Sequence, residues 1–583
     1  MPQPSLKSFA SKGKGKPQRE ENFFEYMITH HRWVFCVFLL MPLSLAFDIV
    51  LYVRNSVQFY LRNWAPKQHE AKVEEIKKQI LEWAKHDGKN KLCTARPGWQ
   101  TMSLRVGKYK KTFRKVKLDL HDILSITTTG QSPSVCVEPL VTMGQLTAAL
   151  LPVGWTVPVL PELDDLTIGG LIAGVGVESS SHIYGLFQHI CMEFEVALAD
   201  GSVVFCSPEK NAELFYNLPW SHGTLGFLLS ATIRIIPAKQ YVKLEYFAFT
   251  NGGKALEMFE RESRKGVNRP PLAGTQVAYA AAADLKKRME GGVTGKGEGD
   301  EGSSPVGGGR EDAADYVEAL AYSREHVVVM LGTMVDTPEG GKEAGKVNAL
   351  GKFWKPWFFK HVEGFLVKGG KEGERVAVEY VPLRHYYHRH SKSLFWEIQD
   401  IIPFGNNVVF RYLFGWMMPP RISLLKLTQT EALRKLYEEH HVVQDMLVPV
   451  KDLGEGLDVF EEVFGVYPLW LCPMRIPKNP DYAKFGGFVK PLEGGKDEMF
   501  VDVGAYGNPS MEGFNAREAC RKAEDWVRAK KGYQMMYADS FMTREEFREM
   551  FDHSKYDELR RRMDLCLQAF PEVYDKVSKA ARV

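Results

Sequence analysis

The chain has 583 residues, 45% of them hydrophobic and 25% charged, which excludes a collagenous, multispanning or mostly disordered protein and exceeds what one hydrophobic core supports. Its 75 basic and 72 acidic residues leave a formal charge of +3, too balanced to point to nucleic acid as a partner. The eight cysteines are scattered without a Cys-x-x-Cys spacing, so neither a zinc ribbon nor a disulfide framework is expected, and a reducing, cytosol-facing setting fits better.

Residues 1–56 read as a tail and a membrane anchor. From Trp33 to Val53 the run WVFCVFLLMPLSLAFDIVLYV carries one charge, Asp48, and is long enough to cross a hydrocarbon layer of about 30 Å as a single transmembrane helix. Asp48 lies near one end, where the cost of about 2.5–3.5 kcal/mol at the bilayer centre is relieved. Ser44-Leu45-Ala46 keeps a cleaved signal peptide open as a second reading. Lys12, Lys14, Lys16, Arg19 and Arg32 precede the run and Arg54, Arg62 and Lys67 follow it, so charge does not settle orientation.

Residues 57–240 read as one α+β unit. Lys72 to Lys85 spaces Val73, Ile76, Ile80, Leu81 and Trp83 at helical intervals. Short β-branched runs follow, interrupted by a helix over Thr142 to Leu151, and Met192 to Cys206 reads as a hairpin about Asp200-Gly201. Near Ala238-Lys239 an aromatic-rich region begins, taken as a substrate or cap domain over 241–500. Within it, Gly291 to Arg310 is glycine-rich and expected to be a disordered insertion. Residues 501–583 are expected to pack back near the site.

The informative stretch runs Thr167, Ile168, Gly169, Gly170, Leu171, Ile172, Ala173, Gly174, Val175, Gly176, Val177, Glu178, Ser179. Its four glycines permit positive φ and close approach of a ligand, and successive amides there can cradle a pyrophosphate. It is not the G-x-G-x-x-G fingerprint of dinucleotide folds. Yet the order of Val137-Glu138-Pro139, this segment, Ser180 to Leu186, LADGS and Gly223-Thr224-Leu225-Gly226 resembles the FAD-binding domain of the vanillyl-alcohol-oxidase superfamily. That resemblance implies an α+β architecture with FAD extended between two subdomains, beside a further α+β cap. It implies pyrophosphate contacts from the glycine segment, with His182, Tyr184, Gly185, Gly223, Thr224 and Gly226 near the cofactor. A structural role for His182 stays open. Where many members carry a flavin-linking histidine this chain has Ala95 to Gln100 (ARPGWQ), so the FAD is expected to be non-covalent.

Further phrases narrow the likeness: VEPLVTMGQLTAALL, LPELDDLTIGGLIAG, SSSHIYGLFQHIC, Pro382 to His390 (PLRHYYHRH), DIIPFGNN, GAYG and FPEVYDK. Together, from the anchor to Val583, they resemble the Δ24-sterol reductases, the 24-dehydrocholesterol reductase group that includes the plant Dwarf1/Diminuto relatives. The resemblance implies saturation of the Δ24 double bond of desmosterol-like sterols, FAD, NADPH as electron donor, and an endoplasmic reticulum membrane location facing the cytosol. Such an alkene needs a proton at C24 and a hydride from flavin N5 at C25, hence an acid beside a long apolar slot. His385, Tyr387 and His388 are the proton-donor candidates, in a cluster with Tyr386 and His390, and Glu397 or Asp400 would orient an imidazole. Glu162, Asp164, Asp165, Tyr506 and Tyr537 are further candidates. No spacing suggests a zinc site. Phe353-Trp354, Trp357 to Phe359 and Val408 to Met418 read as sterol wall, membrane-dipping entrance or plain core. An oxygen-using alcohol or carbohydrate oxidase on the same scaffold, and a sterol-binding membrane protein without turnover, remain the alternatives.

Overall fold

The structure, a computed structural model, describes residues 26–28, 31–61, 65–86, 88–96, 107–130, 132–268, 313–338, 346–368, 371–426, 430–479, 481–491, 497–509 and 511–581. The glycine-rich run 291–310 lies outside them. The apolar N-terminal run is helical, with a π-helical turn at Cys36–Leu40 leading into Met41–Leu61. The next helix, Ala65–His86, buries Val73, Ile76, Ile80 and Trp83. Leu81, expected on the same face, is 40% exposed, because the stripe at steps of three and four residues passes through Ile80 instead.

Helix Ala65–His86 packs on the first part of an α+β body. That body holds a five-stranded antiparallel sheet in the order Ile123–Thr127, Ser134–Val137, Phe227–Arg234, Cys191–Ala197, Val203–Cys206. The last two strands form the expected hairpin, and Gly201, at φ +83°, makes its turn. Helix Met143–Leu150 is fixed at its start by a capping box: Thr142 Oγ1 accepts from Gln145 N while Gln145 Oε1 accepts from Thr142 N. Thr142→Ala is expected to cost about 1 kcal/mol, seen as a lower urea midpoint at unchanged slope.

After Ala238 the chain builds an eight-stranded antiparallel sheet. Its order is Arg375–Pro382, Tyr241–Phe249, Val327–Val335, Tyr316–Ala321, Leu469–Ile476, Glu498–Gly507, Val442–Pro449, Tyr533–Gln534. Helices Gly252–Lys265, Phe358–Lys368, Leu453–Val463 and Ala516–Ala529 cover it. The short helix Ser181–Tyr184 of the first body packs on strand Leu469–Ile476, and Val317 N donates to Ser179 O at 2.8 Å. The two bodies therefore share one continuous hydrophobic core. The C-terminal segment returns to the first body: Tyr556 Oη lies 2.6 Å from Thr224 Oγ1, and Lys576 Nζ reaches His222 O.

Candidate functional site

Between the two bodies lies a cavity of about 580 Å³, within the usual range for small-molecule sites. One wall is the glycine segment. Thr167 starts the short helix Ile168–Ala173, and Thr167, Gly170, Leu171, Ala173, Gly174 and Val175 border the cavity, followed by Gly176 and Val177. The expectation of positive φ at its glycines is not met, since Gly169, Gly170, Gly174 and Gly176 are absent from the left-handed region. They serve through the missing Cβ. At Gly169 a Cβ would stand 2.7 Å from Pro139 Cβ, at Gly174 2.7 Å from Gly170 O, and at Gly176 2.9 Å from Phe187 Cβ. Gly169 and Gly176 thus let neighbouring chain pack closely, while Gly170 lies open to the cavity.

The other expected cofactor neighbours stand behind this wall. Ile168 and Ile172 are core. His182 is fully buried, its nitrogens facing Ser179 O at 2.9 Å and Ala314 O at 3.1 Å, and it does not border the cavity. Tyr184, Gly185, Gly223, Thr224 and Gly226 also do not border the cavity. Gly185 and Gly226 have positive φ and are pressed against His189 and Ala197 O. The residue of that loop that does reach the cavity is His222, at φ 49°, with its N–H on Ala173 O at 2.8 Å. Leu394 and Phe395, at φ 45° and 60°, border the same space. Left-handed backbone at bulky side chains is costly and gathers at functional sites, and sequence gave no sign of these three.

Glu178 and Ser179 close the segment on a buried ion cluster. Arg389 gives Nε and Nη2 to the two oxygens of Glu318 at 2.7 and 2.8 Å and Nη2 to Glu178 Oε1 at 2.8 Å. Ser179 Oγ and N both donate to that same Glu178 oxygen. Burial opposes ionisation of Glu318, but Arg389 and His390 hold it well below the usual carboxylate range. Arg389 sits within the PLRHYYHRH phrase but was not among the candidates, because its value lies in charges brought from two bodies.

The three proton-donor candidates do not border the cavity. Tyr387 is buried and hydrogen-bonded to Thr156 and Tyr316. His388 faces Glu162 O at 3.2 Å and Thr147 Oγ1 at 3.4 Å, and His385 packs against Gly351. The acids that do border the space are Glu162, Asp165, Glu397, Glu438, Asp445 and Asp539, with Tyr506 and Tyr537 among them. Asp445 is directly opposite Gly504 on the neighbouring strand, and Trp470 is opposite Gly504 from the other side. Opposed residues share a face of a sheet, so both point toward the cavity. Tyr506 Oη donates to Asp445 Oδ1, and Tyr537 also hydrogen-bonds Asp445. A Cβ on Gly504 would lie 2.7 Å from Tyr506 Oη and 2.9 Å from Asp445 Oδ1; its absence makes room for the pair. Burial raises Asp445 to about 7. Behind it Asp502 is buried and raised well above its usual range, by burial and then by Asp445. Burial, then Glu178, does the same to Glu162.

The remaining wall is aliphatic: Ile398, Ile401, Ile422 and Leu425 join Leu394 and Phe395. The aromatic runs singled out in sequence lie elsewhere. Trp357, Phe358 and Phe359 are 1–2% exposed core, and helix Val408–Phe414 points outward. At one end the cavity meets Arg32, Tyr437 and the ion pair of His441 with Glu397 at 2.8 Å. Burial opposes charge on His441, but Glu397 outweighs it and raises the imidazole to about 9.

An FAD fits the cationic, side-chain-poor rim at Gly170. Arg96 borders the cavity and donates to Thr167 Oγ1 at 3.2 Å, a charge suited to a pyrophosphate. A Cβ on Gly170 meets only Thr167 Oγ1, at 3.0 Å, so Gly170→Leu is expected to leave the apoprotein's Tm unchanged. It should weaken FAD by at least about 2 kcal/mol, roughly thirtyfold in Kd, measured by flavin fluorescence titration.

Residues 74–207 match the family described as FAD binding domain. Over 558 residues the chain is 51% identical to the Delta(24)-sterol reductase of Homo sapiens, covering 96% of this chain and 95% of that one. It is 42% identical over 577 residues to the Delta(24)-sterol reductase homolog dhcr-24 of Caenorhabditis elegans, covering 97% and 98%. To the Delta(24)-sterol reductase of Arabidopsis thaliana it is 35% identical over 584 residues, covering 97% and 95%.

Proposed function

The chain belongs to the Delta(24)-sterol reductase family, and from that premise we propose that it saturates the side-chain Δ24 double bond of a sterol, with NADPH as electron donor. The observation that carries this reading is the cavity itself: one wall open to a dinucleotide, the other aliphatic, and the hydrogen-bonded pair Tyr506 and Asp445 bordering both. FAD, when bound, supplies the hydride that reaches C25. The residues of the chain do the rest. Gly170, Gly174 and Arg96 would hold its pyrophosphate, and the aliphatic wall from Leu394 to Leu425 excludes water and orients the sterol tail.

In place of His385, Tyr387 and His388, we assign proton delivery to Tyr506 backed by Asp445. An alkene has no lone pair to accept a hydrogen bond firmly, so the donor must be held rigidly against it. Phe395 and Trp396 pack on the Tyr506 ring at centroid distances of 5.2 and 5.5 Å, and Tyr537 fixes Asp445 from the other side. With Asp445 protonated, its carboxyl donates to Tyr506 Oη and frees the phenolic O–H for C24; as C24 takes that proton, Asp445 passes its own to Tyr506, leaving a carboxylate rather than a phenolate. His388, with Ser391 Oγ at 2.9 Å, holds Glu162 O and is a positioning residue for the wall.

Anaerobic mixing tests the reading. NADPH is expected to bleach the flavin without sterol present, and a Δ24 sterol to restore its colour with formation of the saturated product. Recolouring by oxygen alone, with no response to sterol, would favour the oxidase alternative.

A further inference from the structure

The N-terminal apolar helix is not a free anchor. Arg32 is 8% exposed and gives its guanidinium to Tyr437 Oη at 3.2 Å and Leu425 O at 3.0 Å, at the cavity wall. About 24 Å further along the helix axis, Asp48 pairs with Arg421, which also reaches Asp165 at 3.2 Å. Between them Cys36, Val37, Leu40, Met41 and Ser44 are 0–2% exposed, and Ser44 Oγ accepts from Arg421 N at 3.0 Å. The helix ends at Leu61, and the next, Ala65–His86, holds His69 between Glu138 at 2.8 Å and Glu195 at 2.7 Å in the FAD-binding body. Both ends are thus tied to one folded unit, the first to the body built after Ala238 and the second to the FAD-binding body, which share a single core. A helix crossing a hydrocarbon layer of about 30 Å would put them on opposite sides.

Among the described residues, the face turned away from the body is largely apolar. Phe38, Leu39, Leu43, Ile49, Val50 and Val53 are 43–63% exposed. Met41–Leu61 touches the turn Gly415–Met417, and the helix that turn ends, Val408–Phe414, exposes more of the same: Val408, Val409, Tyr412 and Leu413, with Trp416, at 52–63%. Large apolar side chains gathered on one face in this way mark an interaction surface rather than a water-facing one. The window Arg32–Val50, with a mean hydropathy of 2.2, gives it the composition of a lipid-immersed segment. Basic residues at both ends of the run are also what is expected when both ends stay on one side.

We propose that this helix lies in the membrane plane and that, with Val408–Met417, it forms a one-sided bilayer-facing surface around the cavity mouth, without crossing. The N-terminal helix also closes the cavity: Arg32 lines it, and helix Ile422–Leu425, which packs on the turn Cys36–Leu40, lines it with Ile422 and Leu425. A sterol then passes from the leaflet into the site without traversing water; this consequence rests on the proposed function, whereas the membrane arrangement does not.

Two labelling experiments on the full-length, FAD-loaded protein test it without reading activity. All native cysteines but the half-buried Cys136 are buried, so an added one is labelled selectively. In sealed microsomes, Ser5→Cys and a cysteine appended to the C-terminus are both expected to react with an impermeant maleimide without detergent. Protection of Ser5→Cys until detergent is added would overturn the proposal in favour of a spanning helix. In phosphatidylcholine vesicles, an NBD group on Leu413→Cys is expected to shift to the blue and be quenched by doxyl lipid and not by iodide. Quenching by iodide would remove lipid from the patch, and shielding from both quenchers would assign it to a second copy of the chain; either result refutes the proposal.

Discussion

Tyr506→Phe is expected to lower kcat for sterol reduction by about 10²–10⁴-fold while FAD content and the rate of flavin bleaching by NADPH stay unchanged. The loss falls on one half-reaction because the ring keeps its packing against Phe395 and Trp396 and only the hydroxyl on Asp445 is removed. Gly504→Ala should reach a similar end by a different route, since its methyl would occupy the space between the two partners. The pH profile supplies the sign. Asp445 is raised to about 7 by burial, so the proton-loaded form is present below that pH and lost above it. Sterol-dependent reoxidation should fall as pH rises through about 7, and Asp445→Asn should abolish that limb along with most of the rate. If Tyr506→Phe reoxidises with sterol at the parental rate, the donor assignment is wrong.

Arg389→Met is expected to destabilise the protein by about 3–5 kcal/mol, read as a fall in Tm and in urea midpoint. Glu178, Glu318 and Arg389 have side chains that are 0% exposed, and removing the cation leaves two carboxylates in a medium that solvates neither. In the parent, Glu318 is held well below its usual range. Its contribution is therefore present above the unfolded carboxylate pKa and fades as pH falls below it. In Arg389→Met the deficit should be widest at neutral pH and shrink in acid, where the stranded groups take up protons. Adding Glu178→Gln and Glu318→Gln should recover part of the loss, because the neutral set needs no counter-charge.

Much of the local structure was legible because its signals are local. The 3.6-residue spacing of Val73, Ile76, Ile80 and Trp83, the helix over Thr142 to Leu151 and the Asp200-Gly201 turn each act over a few residues. The glycine segment was found for a reason that proved partly different: Gly169 and Gly176 are there for close packing, not for positive φ. The titratable density of His385 to His390 was visible too, but the short helix Leu383–Tyr387 turns those side chains into the core between the bodies. Asp445, Trp470 and Tyr506 are far apart in sequence and meet only through strand register at Gly504.

The sequence by itself determined the membership of the family, the FAD-binding domain, the helix and hairpin positions and the apolar character of the N-terminal run. These rest on near-neighbour spacing and on composition, which the chain carries whatever its path. Tertiary structure alone decided which acids face the cavity, which arginine joins the two bodies and which face of the apolar helix remains open. Each of these depends on residues from distant strands meeting within hydrogen-bond reach, and on burial that no single segment possesses before the sheets close over it.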